Sequence, residues 1–174
     1  MDTLSPIFRT IRRNLWVAFL IFTILVWLCP IAYRSTRLFL ILALPALWIW
    51  ALILLRKHRV FALLILFMGL FIAVFLFLPG REIDPLQLRA QYVQSLRKYE
   101  GTLYIWGGEN KLGIDCSGLV RKGLIDANFM LGLRTLNPQA TRSAFDLWWH
   151  DCSAQALRDK YRGLTVFRFQ AKSI

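Results

Sequence analysis

Apolar residues form three near-continuous runs before residue 80, and after it they recur only at intervals. The run 15–33 is interrupted by Thr23 and Pro30 alone, 38–55 by Pro45, and 60–78 by Gly69. At the helical rise, runs of this length measure about 27–29 Å, close to the thickness of a bilayer's hydrocarbon core. None has a polar face, which excludes helices lying on a membrane surface. The pattern predicts three spanning helices in a membrane domain, residues 1–80. Trp16 is placed to act as an interfacial anchor. The first run is longer than a signal-peptide core and has no small-residue cleavage site after it, so it reads as an uncleaved anchor.

Charge adds an orientation. Residues 1–80 hold 8 basic and 1 acidic residue of the chain's 22 and 10, leaving 14 and 9 for residues 81–174. Arg9, Arg12 and Arg13 precede the first run, while Arg56, Lys57 and Arg59 join the second to the third. The opposite connection carries Arg34 and Arg37. This imbalance predicts a multi-pass protein of the bacterial inner (cytoplasmic) membrane, with its N-terminus in the cytoplasm and residues 81–174 periplasmic or extracellular. The formal net charge of +12 invites a nucleic-acid reading. No basic stripe with interleaved aromatics supports one, so membrane lipid is the expected contact and nucleic acid is not.

In residues 81–174, Asp84-Pro85 predicts a capped helix start. Leu88, Tyr92 (or Val93), Leu96 and Tyr99 follow at helical spacing, and Gly101 stops the run. Tyr104-Ile105-Trp106-Gly107-Gly108 reads as a short extended aromatic stretch, and Asp115-Cys116-Ser117-Gly118 opens a second helix of about 14 residues. Asn137-Pro138 reads as a loop before a helix capped by Thr141. A cysteine at a helix N-terminus meets the positive end of the macrodipole and unpaired N–H groups, both of which favour a thiolate. The glycines around it let backbone and substrate approach closely.

Tyr104-x-Trp106-Gly107-Gly108, six further residues, and then Asp115-Cys116-Ser117-Gly118-Leu119-Val120 resemble the signature of the NlpC family of cysteine peptidases, over residues 86–133. The resemblance implies three transmembrane α-helices followed by a partial α+β, papain-like (NlpC-type) domain. It implies cleavage of peptide stems in bacterial cell-wall peptidoglycan, without a cofactor. Cys116 would be the nucleophile and Tyr104 would polarise the scissile carbonyl. Asp115, Ser117 and Trp106 would bind substrate, with Asp115 and Ser117 recognising a free stem amine.

The same resemblance leads one to expect a downstream histidine, on a strand after a Pro-Gly-Asp turn, and a third polar residue. Neither precedes Ile174. The domain is therefore expected to be incomplete at its C-terminus, whether as a truncated copy or a natural short form. Little peptidase activity is expected, and Leu119, Val120 and Leu124 should be uncovered. His58 lies in the cytoplasmic loop, and His150 reads as a half-exposed helix-end residue rather than a base. Cys29 is expected as inert packing within a span, and a disulfide from Cys116 to Cys152 is not expected. The run 164–169 reads as a strand. Trp148, Trp149 and Phe145 suggest a packed helix face. Lys98, Arg121, Lys122 and Arg134 read as solvated charges, and no Cys/His spacing suits a metal. A non-catalytic cell-wall-binding or regulatory membrane protein is the alternative. A holin-like or channel-like role is disfavoured, because the runs carry no charge that would mark an ion path.

Overall fold

The computed structural model describes residues 4–31 and 33–150. Cys152 and the run 164–169 lie outside the described residues. Six helices and one small hairpin follow in order: α1 (Leu4–Leu28), α2 (Arg34–Leu55), α3 (Arg59–Phe77), α4 (Pro85–Arg97), β1 (Glu109–Asn110), β2 (Gly113–Ile114), α5 (Cys116–Arg134) and α6 (Pro138–Trp149). Three helices are long and apolar enough to cross a membrane: Thr10–Leu28 within α1, Arg34–Leu55 and Arg59–Phe77.

Helix α1 ends five residues before the first apolar run does. Pro30 cannot continue a helix and disfavours helical geometry at Cys29. The residues that follow are taken up by the outer unit: the Glu109 N–H donates to the Pro30 carbonyl at 2.9 Å, and Ile31 forms an antiparallel bridge with Gly108. Cys29 is consequently exposed at the end of the span rather than packed inside it.

Helix α2 is the centre of the apolar bundle. Arg37, Leu40, Ala43 and Leu47 recur at three- or four-residue spacing and are its buried positions. Phe39 meets Phe19 and Phe22 of α1 edge-on, with ring centroids 6.1 and 5.5 Å apart. Trp16 is not simply a surface anchor. Half-buried, it donates its indole N–H to the Leu47 carbonyl at 3.1 Å and joins α1 to α2. Trp48 does the same toward Ile65 of α3 at 3.3 Å, over Gly69, where a Cβ would collide with its ring. No residue of α3 is buried, so its surface is left for lipid.

The outer unit is built on α5, which packs between α4 and α6. Gly123 of α5 admits Leu96 and Tyr92 of α4, while Gly132 admits Thr141 of α6. Ala127, Ala140 and Ala144 share the core with Tyr99, Ile114, Ile125 and Leu131. Helix α5 runs 19 residues, longer than expected, because no breaker intervenes before Thr135. Leu136 then turns left-handed at φ 47°, and the Asn137 N–H bonds back to the Gly132 carbonyl at 2.9 Å. This is a Schellman ending made without the usual glycine. Helix α6 begins at Pro138, not after Thr141, because Asn137 caps it by accepting from the Gln139 N–H at 3.1 Å. Among the described residues the one sheet is the pair β1–β2, with Glu109 opposite Ile114 and Asn110 opposite Gly113.

The outer unit grips all three helix ends that face it. Asn110 donates to the carbonyls of Leu28 and Cys29 at 3.0 and 3.1 Å, ending α1. Arg142 donates to those of Leu76 and Leu78 at 2.7 and 2.8 Å, ending α3. Asn137 holds both backbone groups of Arg81, and Glu109 takes Arg37 at the start of α2. The 56–58 turn, with His58, lies at the opposite end of the bundle.

Candidate active site around Cys116

Asp115 organises the entry to α5. Its backbone is extended (φ −105°, ψ 179°), and one carboxylate oxygen caps the helix by accepting from the Gly118 N–H at 2.6 Å. The same oxygen accepts from the Ser117 hydroxyl at 2.9 Å, and the other accepts from the Gly107 N–H at 2.8 Å. Partial burial pushes the Asp115 carboxyl upward, but the hydrogen bonds from Gly118, Gly107 and Ser117 outweigh it and hold the group below its ordinary value. Asp115 is therefore an anion that ties the Trp-Gly-Gly loop to the helix start.

Two glycines make that tie possible. Gly107 sits at φ 73°, a conformation that other side chains rarely adopt. A Cβ on Gly118 would overlap the Gly108 carbonyl. The close seat also lets the Asp115 N–H reach that carbonyl at 3.1 Å.

Cys116 is the first residue of α5, exposed and with a free thiol. Tyr104 is brought beside the segment leading into it through a parallel bridge to Ile114. The Tyr104 and Trp106 side chains are 65% and 82% exposed, so both are open to a ligand. The motif residues thus share one edge of the outer unit. The carboxylate of Asp115 and the hydroxyl of Ser117 are already engaged with each other and with the loop.

His150 ends α6 as expected, half-buried. Its Nδ1 lies 2.9 Å from the Asp146 carbonyl and 3.2 Å from the Asp146 carboxylate. Among the described residues no hydrogen bond joins an imidazole to Cys116. Val120 is exposed, while Leu119 and Leu124 are half-covered. Phe145 and Trp148 pack tilted at 5.6 Å.

Sequence reasoning missed the ionic cluster behind the loop. Arg37 is 1% exposed and donates to both carboxylate oxygens of Glu109 at 2.9 and 3.0 Å. Arg121, read from the sequence as a solvated charge, is 2% exposed, forms a second ion pair with Glu109 and donates to the carbonyls of Leu147 and His150, each at 3.0 Å. One carboxylate thus joins α2, α5 and, through Arg121, the negative end of α6. The legible signal was modest: an acidic residue directly after Trp-Gly-Gly in a chain with few acids. Lys122 pairs with Asp126 at 2.9 Å and Arg134 donates to Gln91 at 2.8 Å. Lys98 and Arg134 are exposed, as expected of solvated charges, while Lys122 is half-buried. Tyr99 donates to Asp126 at 2.6 Å. Burial, then this hydrogen bond and the neighbouring charge, raise its pKa beyond the usual phenol range. Among the described residues no group of three or more His, Cys, Asp or Glu is arranged to hold a metal ion.

Compared with family models, curated proteins and solved structures, the chain matches none.

Proposed function

We propose that this chain is a membrane-anchored NlpC-type cysteine peptidase module directed at peptidoglycan peptide stems, with Cys116 at the nucleophile position and low turnover on its own. The observation that carries the reading is an exposed cysteine opening a capped helix, tied through Asp115 to a Tyr-x-Trp-Gly-Gly loop. In such a site the thiolate attacks the scissile carbonyl carbon and the C–N bond breaks. The amine leaves with a proton from a general acid, and water then hydrolyses the thioester. Tyr104, bridged to Ile114 two residues before Cys116, is assigned to the carbonyl oxygen, and Trp106 to the flanking peptide. Asp115 and Ser117 act on substrate only through their exposed edges, because their main polar groups are engaged internally.

Low turnover follows from the base. His150 turns its Nδ1 to Asp146, and loss of an aligned base lowers such rates by orders of magnitude. The same observation favours a second reading, a non-catalytic wall-binding or regulatory protein. The outward placement of the domain rests on the basic residues at the 56–59 and N-terminal end of the bundle.

The test is a stem peptide bearing a thiol-reactive electrophile, applied to the full chain in vesicles. Labelling of Cys116 in preference to Cys29, with stem cleavage close to that of Cys116→Ala, is the expected result. Stem binding without labelling would favour the second reading. Absence of both would overturn the peptide-directed function, and rapid Cys116-dependent cleavage would overturn the low turnover.

A further inference from the structure

The residues that frame Cys116 also stand next to the ends of the membrane helices. Gly108 bridges Ile31, and Gly107 faces the Ile31 side chain, which a Cβ there would meet at 3.7 Å. Asn110 holds the last carbonyls of α1, and Glu109 holds the first turn of α2. Bridged antiparallel Cα atoms lie about 4.5–5.5 Å apart, and Gly118 sits directly on Gly108. Two such steps put the start of α5 within about 10 Å of Ile31. The polar layer on each face of a bilayer is about 5–7 Å deep, so this loop lies at its level.

Two large apolar side chains in this loop have little protein cover: Trp106 is 82% and Leu112 58% exposed. Each neighbours a residue that contacts the α1 end, Gly107 and Asn110 respectively, and Asn110 also accepts from the Leu112 N–H at 2.8 Å. At the same level, Trp27 and Tyr33 are 67% and 65% exposed. Arg34, Arg81 and Lys111 are exposed around them. Aromatic and aliphatic side chains ringed by cations suit the interfacial zone of a bilayer, where an apolar body and a charged neighbour are both satisfied.

We propose that the 106–112 loop is seated in the lipid headgroup layer through Trp106 and Leu112, so that Cys116 meets peptides presented at the membrane surface. The partner is lipid, reached as a continuation of the surface that the three apolar helices already offer to it. The second half rests on the reading of Cys116 as a peptidase nucleophile. It narrows the substrate class to stem peptides held by a lipid carrier, as opposed to stems deep in the wall, because the grip on all three helix ends leaves the site no tether on which to reach outward.

The experiment places a bimane probe on Leu112→Cys in the full chain carrying Cys29→Ala, Cys116→Ala and Cys152→Ala, in nanodiscs of phosphatidylethanolamine and phosphatidylglycerol. Phe67→Cys in mid-span and an aqueous cysteine conjugate serve as the two limits. Headgroup nitroxide lipid is expected to quench the 112 probe at least threefold more than deep acyl-chain nitroxide does, and iodide to quench it less than half as well as the aqueous conjugate. Iodide quenching equal to that conjugate would overturn the seat. Protection from iodide without any lipid quenching would overturn it too, by showing that protein covers the loop. For the second half, a stem pentapeptide with and without an acyl anchor is bound to Cys116→Ala protein and corrected for partitioning into empty discs. At least tenfold preference for the anchored form is expected, and equal binding would overturn the substrate assignment. If neither form binds, the peptidase reading falls while the quenching result still decides the seat.

Discussion

The membrane helices and the outer unit are both mostly helical, yet different forces set their arrangement. In the bundle, α1 and α2 meet through aromatic edges and small residues, and indole hydrogen bonds from Trp16 and Trp48 fix neighbours that apolar contact alone would leave free to slide. Lipid competes equally for apolar surface, so few polar contacts must supply specificity there. In the outer unit the order is reversed. Its helices begin at side-chain caps, Asp84, Asp115 and Asn137, and its core packs Tyr99, Ile114, Ile125 and Leu131 among glycines and alanines. Where the two regions join, the side-chain contacts with a fixed direction are polar: Asn110 on α1, Glu109 on Arg37 and Arg142 on α3. An apolar junction would not distinguish one rotation of the outer unit from another, whereas carbonyl and guanidinium groups have directions.

The largest effect should come from breaking that junction. Glu109→Ala removes the carboxylate between two buried guanidinium groups and should cost about 3–5 kcal/mol, read as loss of thermal stability and faster trypsin cleavage of the outer unit in detergent micelles. Replacing Arg37, Glu109 and Arg121 together by apolar residues of similar volume should recover most of that stability. Their value would then lie in orientation, which the labelling rate of Cys116 would report. Gly118→Ala forces a methyl onto the Gly108 carbonyl and should cost about 1–3 kcal/mol, while leaving the membrane helices unchanged by circular dichroism.

Asp115→Ala removes the α5 cap and the tie to Gly107, for about 1–2 kcal/mol at neutral pH. Because the folded carboxyl is held below its unfolded value, its stabilisation is complete above the unfolded value and is lost as pH falls through the folded one. The stability gap between wild type and Asp115→Ala should therefore narrow in acid and stay constant above about pH 5. Leu136→Gly should act in the opposite direction and stabilise by about 1 kcal/mol, because Leu136 is exposed and bears a left-handed backbone that glycine adopts without strain. The smallest effect is expected within the bundle. Trp48→Phe loses the indole hydrogen bond to Ile65, about 0.6 kcal/mol, and withdraws the outer indole ring from Gly69, so Gly69→Ala should cost less in Trp48→Phe than in the wild type in a double-mutant comparison.

The three spans were legible because continuous apolarity over 18 or more residues has few other outcomes. The starts of α4 and α5 were legible because Asp-Pro and Asp-Cys-Ser-Gly act on the N–H groups of their own first turn, a range of two to three residues. Helix α6 was placed late because Asn137 looked like loop chemistry, whereas its side chain caps the helix that Pro138 begins. The end of α1 was placed too far on because residues 29–31 are apolar, and what removes them from the helix is Pro30 together with partners that follow much later in the chain. Tyr104, Trp106 and Cys116 could be grouped from their motif. That Asp115 also holds the Gly107 N–H could not, because this bond spans eight residues and needs the loop to fold back first.

The sequence by itself determined which segments enter a membrane, where the helix bearing Cys116 starts and which residues gather at that start, since each depends on groups close along the chain. Only the tertiary structure decided that Arg37 and Arg121 are buried on one carboxylate, and that Asn110, Asn137 and Arg142 hold the membrane helices from above. Apart from Arg121 on Glu109, those bonds join residues 56 to 82 positions apart. A lone arginine or asparagine reads the same in solution as beneath a domain, until folding brings a helix end or a carboxylate to meet it.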